Sequence, residues 1–305
     1  MRELCLLAVA LAFPGLLALQ QRAEAQASAP KTTSFPKDRI IGYYTIFPKD
    51  GPVLKSFRET EESIARDEKT LPPQGGPLQG QIVYPADASI GLTLDPSDDA
   101  TIVEKLRALA TLDVRDVSFL LIGAPIDRAA LEEIERFVNL RHLLITLDEN
   151  TNADDLASCI ARLPRLKYLN VSRQNDCDFG STQFCQIARS LASLEYLSIP
   201  CEKLTDADVR ILARNTNLDQ VHLRSRKPVL GPASLTALKS LPNLRELWIV
   251  CTDAVTDLDV MAFTEVKSLR AISFVTSAHL TCRDTFKQRR PDCWFFLNKP
   301  SNELR

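Results

Sequence analysis

A segment of the form L-x-x-L-x-L returns along this chain at a nearly constant step, and that periodicity limits the available folds more than any other feature. Its apolar positions are Leu140, Leu143 and Ile145, then Leu166, Leu169 and Val171, then Leu194, Leu197 and Ile199. The series continues with Leu218, Val221 and Leu223, with Leu244, Leu247 and Ile249, and with Leu269, Ile272 and Phe274. Val114, Val117 and Phe119 form an earlier copy, and Ser89, Leu92 and Leu94 a first one. The starts at 89, 114, 140, 166, 194, 218, 244 and 269 are separated by 25, 26, 26, 28, 24, 26 and 25 residues.

Each copy predicts a short strand with one buried face, then a turn and an amphipathic helix. The unit at Leu194 shows the helix start best. Leu204 enters the core, Thr205 is an N-cap, Asp206 and Asp208 suit the positive helix end, and Val209, Ile211 and Leu212 supply apolar surface. Val255 to Asp259 repeats that start, while Leu163-Pro164 and Leu241-Pro242 end helices ahead of the next strand. One such unit cannot bury its own apolar face, but stacked units can. The expectation is an α/β, right-handed solenoid with parallel strands on the concave side, helices on the convex side, and about eight repeats between caps.

The stretches Leu204 to Val209 and Asn243 to Leu247 resemble the repeat consensus of the leucine-rich-repeat family, in its longer, helix-bearing branch also found in exported bacterial proteins. The resemblance covers residues 89–297 and implies a binding scaffold with varied partners. Family members often carry Asn or a small polar residue three residues after the last apolar strand position, bonding the turn. Here that place holds Asp148, Gln174, Glu202, Arg226, Thr252 and Ser277, so no ladder of one residue type is expected there.

The ends read differently. Arg2, the apolar run Leu4 to Leu19 broken by Pro14-Gly15, and the small residues Ala23, Ala25 and Ala27 read as a secretory leader over 1–27, cut after Ala25 or Ala27. An uncleaved anchor is the competing reading. Nothing downstream is apolar enough to span a bilayer, so secretion, or a periplasmic or envelope address, is expected. Residues 28–88 read as a tether and N-terminal cap: β-like over 40–47, helical over 56–69, and a loop over 70–80. A separate partner-binding segment is the alternative for that region. A short tail occupies 298–305.

The 305 residues carry a net charge of −2, with 45% hydrophobic and 25% charged residues, which gives no pull towards nucleic acid. The basic run Lys287 to Arg290 reads as a solvated cap. Eight cysteines include Cys5 in the leader, and the odd remainder leaves at least one thiol unpaired within the chain. Most read as core residues. Cys282 and Cys293 are a possible disulfide closing the last repeat, and Cys159 and Cys185 could pair or remain buried thiols. Cys201 and Cys251 are a whole unit apart, too far to bond.

Alternate strand positions face the concave side. One column reads Ser118, Leu144, Asn170, Ser198, His222, Trp248 and Ser273, and its neighbour His142, Tyr168, Tyr196, Gln220, Glu246 and Ala271. Tyr168, Tyr196, His222 and Trp248, flanked by Asn170 and Arg224, form a candidate binding strip for another protein or a glycan. Mixed charges beside it argue for a neutral or mixed partner. His142, His222 and His279 stand apart from cysteines and carboxylates at metal or triad spacing and read as surface residues. Asn170-Val171-Ser172 matches a glycosylation sequon inside a strand.

No catalytic motif, phosphate loop, dinucleotide turn or zinc spacing is present, so neither enzyme activity nor a cofactor or metal is expected. The sequence therefore predicts a non-catalytic recognition module. Its alternatives are an assembly component of the cell envelope docking through its N-terminal region, and an intracellular adaptor.

Overall fold

A computed structural model describes residues 30–37, 39–48, 75–86, 88–94, 101–147, 151–173, 179–201, 204–224 and 230–298. The leader, the helix expected over 56–69, the tail beyond 298, Cys177, and the turn positions Asp148, Gln174, Glu202 and Arg226 lie outside the described residues.

Nine mutually parallel strands form the body of one sheet: β5 (Ala88–Leu94), β6 (Val117–Pro125), β7 (His142–Leu147), β8 (Tyr168–Arg173), β9 (Tyr196–Pro200), β10 (Gln220–Arg224), β11 (Glu246–Val250), β12 (Ala271–Val275) and β13 (Trp294–Asn298). They lie side by side in chain order, each joined to the next through helical structure. The connecting α-helices are α1 (Ile102–Ala108), α2 (Arg128–Ile134), α3 (Ala153–Ala161), α4 (Ser181–Ser190), α5 (Asp206–Leu212), α6 (Pro232–Lys239), α7 (Asp257–Met261) and α8 (Arg283–Arg289). This is the architecture of a leucine-rich-repeat solenoid.

Earlier strands extend the sheet at its start. β2 (Tyr43–Pro48) runs antiparallel to β5, and β3 (Gly75–Pro77) pairs with β2. The β-like run expected over 40–47 is thus β2, and β3 lies within the stretch expected to be a loop. β1 (Lys31–Ser34) and β4 (Gln81–Tyr84) form a separate antiparallel pair. Lys31 Nζ ties that pair to the first repeat through Asp116 at 2.6 Å, and the Tyr84 hydroxyl donates to the same carboxylate at 3.1 Å. At Gly42 a Cβ would stand 2.5 Å from the Thr93 carbonyl oxygen, so β2 reaches β5 closely because that residue is glycine.

Register fixes the repeat. Leu92, Leu120, Leu143, Leu169, Leu197, Val221, Leu247, Ile272 and Phe295 stand opposite one another across the sheet. All are buried in one continuous core with the helices' apolar faces. Two corrections follow. The second copy begins at Val117, not Val114, because Leu120 and Ile122 face Leu143 and Ile145. The register also shifts after Ile90 and after Ile122, where β6 carries extra residues against β5 and β7. Ser118 therefore leaves the concave column, and Leu121 takes its place opposite Leu144. A further strand, β13, also joins the eight read from the sequence.

Helix starts follow the expected chemistry. Thr205 and Asp208 form a capping box on α5, as do Thr256 and Asp259 on α7. Burial pushes the Asp208 carboxyl up, but hydrogen bonds from Ser181, Cys185 and Thr205 outweigh it and hold the group below its ordinary range. Ser181 belongs to the preceding repeat, so this acid joins neighbouring units as well as capping its helix. Asp206 accepts from Ser234 Oγ, and Asp257 from Thr281 Oγ1 at 2.6 Å, in the same manner.

Three asparagines do bond between units, one residue before the repeat rather than after the strand. Asn139, Asn217 and Asn243 donate through Nδ2 to the carbonyls of Arg115, Ala192 and Thr216 in the preceding units, at 2.7–2.8 Å.

The cysteine expectation changes. Cys159, Cys185, Cys201, Cys251, Cys282 and Cys293 are all free and buried. Cys282 and Cys293 do not bond. They lie at opposite ends of α8, whose seven residues rise about 10 Å against the ~7 Å Cα limit of a disulfide. Cys159 Sγ faces back to the Leu131 carbonyl at 3.6 Å, whereas Cys185 Sγ faces forward to Asp208 at 3.0 Å, so these two point apart. Burial pushes the thiols of Cys159, Cys251 and Cys282 up to about 12 and that of Cys293 up to about 11. A thiol held protonated is a poor nucleophile. Iodoacetamide at pH 8 should leave these residues unlabelled in the native chain and label them all in urea, as read by peptide mass spectrometry. Rapid native labelling of Cys251 would contradict the packing.

Candidate functional site

Strand alternation sends every second side chain of the sheet to the concave face. In the first column the register places Phe119, His142, Tyr168 and Tyr196 in a row, followed by Gln220, Glu246, Ala271 and Trp294. The next column holds Leu121, Leu144, Asn170, Ser198, His222, Trp248 and Ser273. The predicted columns are therefore correct from β7 onward.

The rings of these columns form one continuous series across six strands. Phe119 lies 5.9 Å from His142, and His142 5.6 Å from Tyr168. Tyr168 and Tyr196 stack at 3.9 Å with planes 5° apart. The series then steps sideways by one column. Tyr196 meets His222 edge-on at 5.2 Å, and His222 lies 5.3 Å from Trp248. The edge-on contact of Tyr196 with His222 suits the ring quadrupoles.

Exposure divides the series in two. His142, Tyr168 and Tyr196 are buried, and Leu144 packs with the two tyrosines in a second apolar cluster flanked by Phe119 and Leu121. His222 is half-buried, and Trp248 at the far end is 39% exposed. The two tyrosines are thus packed in place, and Trp248 is the most exposed ring of the series.

Polar groups sort in the same way. Burial holds the His142 imidazole down at about 4, against a hydrogen bond to the backbone of Ser118 that favours its charged form. His142 is therefore neutral and interior, which corrects the surface reading. Its Nε2 and the Tyr168 hydroxyl are buried without a hydrogen-bond partner among the described residues. Burial also raises the hydroxyl pKa of both tyrosines, so neither ionises near neutrality. On the exposed side His222 lies between Tyr196 and Glu246, with Nδ1 3.3 Å from the Tyr196 hydroxyl and Nε2 3.4 Å from Glu246 Oε1. His279 is exposed and remote from this series.

Arg224 and Asn170 also bond to one another within the fold. The ladder between β8 and β9 ends at the Asn170–Ser198 pair. Arg224 reaches back across β9 and donates to the Val171 carbonyl and to Asn170 Oδ1 at 3.4 Å. Its guanidinium closes the seam where the two strands part. The pairing needs tertiary placement, because 53 residues separate Arg224 from Val171. Lys167 and Glu195 also pair across repeats at 2.6 Å beside the tyrosines.

Among the described residues no group of three His, Cys, Asp or Glu side chains is arranged to hold a metal, and no helix is long and apolar enough to cross a membrane.

The fold and this face define a leucine-rich-repeat solenoid with an aromatic concave surface. No family model matches the sequence, and no curated protein does. Among solved structures, one chain of the crystal structure of a TLR13–ssRNA13 complex is similar over 54% of this chain, at 17% identity and a TM-score of 0.35. The match spans 23% of that chain's length.

Proposed function

We propose that this protein is a non-catalytic recognition module that binds a segment of another protein on its concave face, with Trp248 as the anchor. The observation that carries this reading is the exposed indole of Trp248 at one end of a ring series in which His142, Tyr168 and Tyr196 are buried. A large aromatic presented on a rigid support loses little conformational freedom on binding, and such residues dominate interface energetics. Mixed charge at Glu246, Arg245 and Arg224 favours a protein partner over a polyanion. An address outside the cytoplasm, as the N-terminal sequence suggests, belongs to this proposal.

Site-specific photocrosslinking in the native host tests it. A photoreactive side chain at position 248 is expected to capture one partner, while the same group at Arg210 on α5 captures none. Trp248→Ala should abolish co-purification of that partner without shifting the thermal midpoint. Equal capture from both positions, or undiminished binding by the alanine variant, would assign recognition to another surface, and deletion of residues 39–69 would then be the informative variant.

A further inference from the structure

The sheet ends in an open aromatic strand. β13 pairs with β12 on one side, and among the described residues no strand lies on its other side. The Trp294 N–H donates to the Arg270 carbonyl and the Thr276 N–H to that of Asn298, so residues 294, 296 and 298 turn their backbone groups towards β12. By alternation, the N–H and C=O of Phe295 and Leu297 point outward. The strand reads Trp-Phe-Phe-Leu-Asn and carries none of the charges or prolines with which sheets blunt an edge. On its concave side Trp294 is 65% exposed, with its ring 6.1 Å from that of Phe296.

We propose that β13 is a self-association edge: two copies of this chain pair antiparallel through it, about a two-fold axis at Phe296. The pattern of outward groups selects that occupant. With Phe296 opposite its symmetry mate, Phe295 of one copy faces Leu297 of the other, and Leu297 faces Phe295. Both are positions whose backbone groups point outward, so each pair exchanges two hydrogen bonds and all four outward donors and acceptors of each strand are satisfied. A one-residue slip would set outward groups against inward ones. Phe296 then faces its mate at a non-hydrogen-bonded site, where side chains approach most closely, with Trp294 beside it on the same face. An uncharged strand meets itself without repulsion, and the contact closes as a symmetric dimer.

Light scattering on the full chain after size exclusion tests the pairing. The expected result is a mass twice the 34.0 kDa of one chain. Phe296→Lys sets two like charges across the axis and should weaken the dimer at least a hundredfold. Phe296→Cys gives a positive readout that does not depend on the lysine variant folding. A non-hydrogen-bonded antiparallel pair brings Cα atoms within disulfide reach, so mild oxidation should yield a covalent dimer absent from the parent chain. A parent chain that stays monomeric up to millimolar concentration overturns the proposal. So does a dimer that survives Phe296→Lys and does not crosslink through Phe296→Cys.

Discussion

Lowering the pH from 6.5 to 4 should cost this protein about 3 kcal/mol of stability, and His142→Phe should remove most of that dependence. His142 is buried between Phe119 and Tyr168, and its pKa falls from 6.5 to about 4 because burial penalises the imidazolium. The unfolded chain takes up a proton at His142 as pH falls through 6.5, whereas the folded chain resists until about 4. The contribution is therefore complete above pH 6.5 and is lost on acidification through that window. The hydrogen-bonded carboxylates act lower. Asp257 is held at about 2 by Thr281 and Cys282, so its contribution fades between pH 4 and 2. Phenylalanine continues the ring series and removes the unpartnered Nε2. Urea unfolding at pH 7.5, 5.5 and 4.5 measures the effect: the parent midpoint should fall steadily and the variant's should hold. Parallel decline of both would mean that His142 is accessible and charged.

His142 also shows what the sequence concealed. As one histidine among three it has no distinguishing neighbour in the chain, yet its column, with Tyr168 and Tyr196 at the same strand position, was legible. What could not be read was that three rings at that position close over one another and exclude water. The start of the second repeat failed for another reason. Val114, Val117 and Phe119 and also Val117, Leu120 and Ile122 satisfy the apolar spacing, and only pairing with β5 and β7 decides between them. The bonds of Asn139, Asn217 and Asn243 show in the chain only as Asn-Leu at three repeat starts, because their carbonyl partners lie in the preceding unit. By contrast, the Thr205 and Thr256 caps were legible in full, because a capping box is a local device. The pairing of Arg224 with Val171 is non-local and left no mark in the chain.

The C-terminal basic run makes the same contrast. Lys287, Gln288 and Arg289 are exposed on α8, as expected of a solvated cap, but Arg290 is buried and corrects that reading. Its guanidinium donates to the carbonyls of Val266 and Leu269, each at 2.7 Å, and to Asp292 at 2.9 and 3.1 Å. The Val266 carbonyl lies at the end of the preceding repeat and Leu269 opens the last one, so one side chain ties the last helical unit to its neighbour. Arg290→Ala should destabilise the chain by about 3 kcal/mol, since it strands the Val266 and Leu269 acceptors together. Arg290→Lys should recover less than half, because an ammonium cannot span the forked set of acceptors. Asp292→Asn should cost far less, because that side chain is 53% exposed. Hydrogen exchange adds a spatial test. In the alanine variant, amides of β12 and β13 should lose protection before those of β7 to β9. A uniform loss along the solenoid would mean that Arg290 supports the whole stack rather than its last joint.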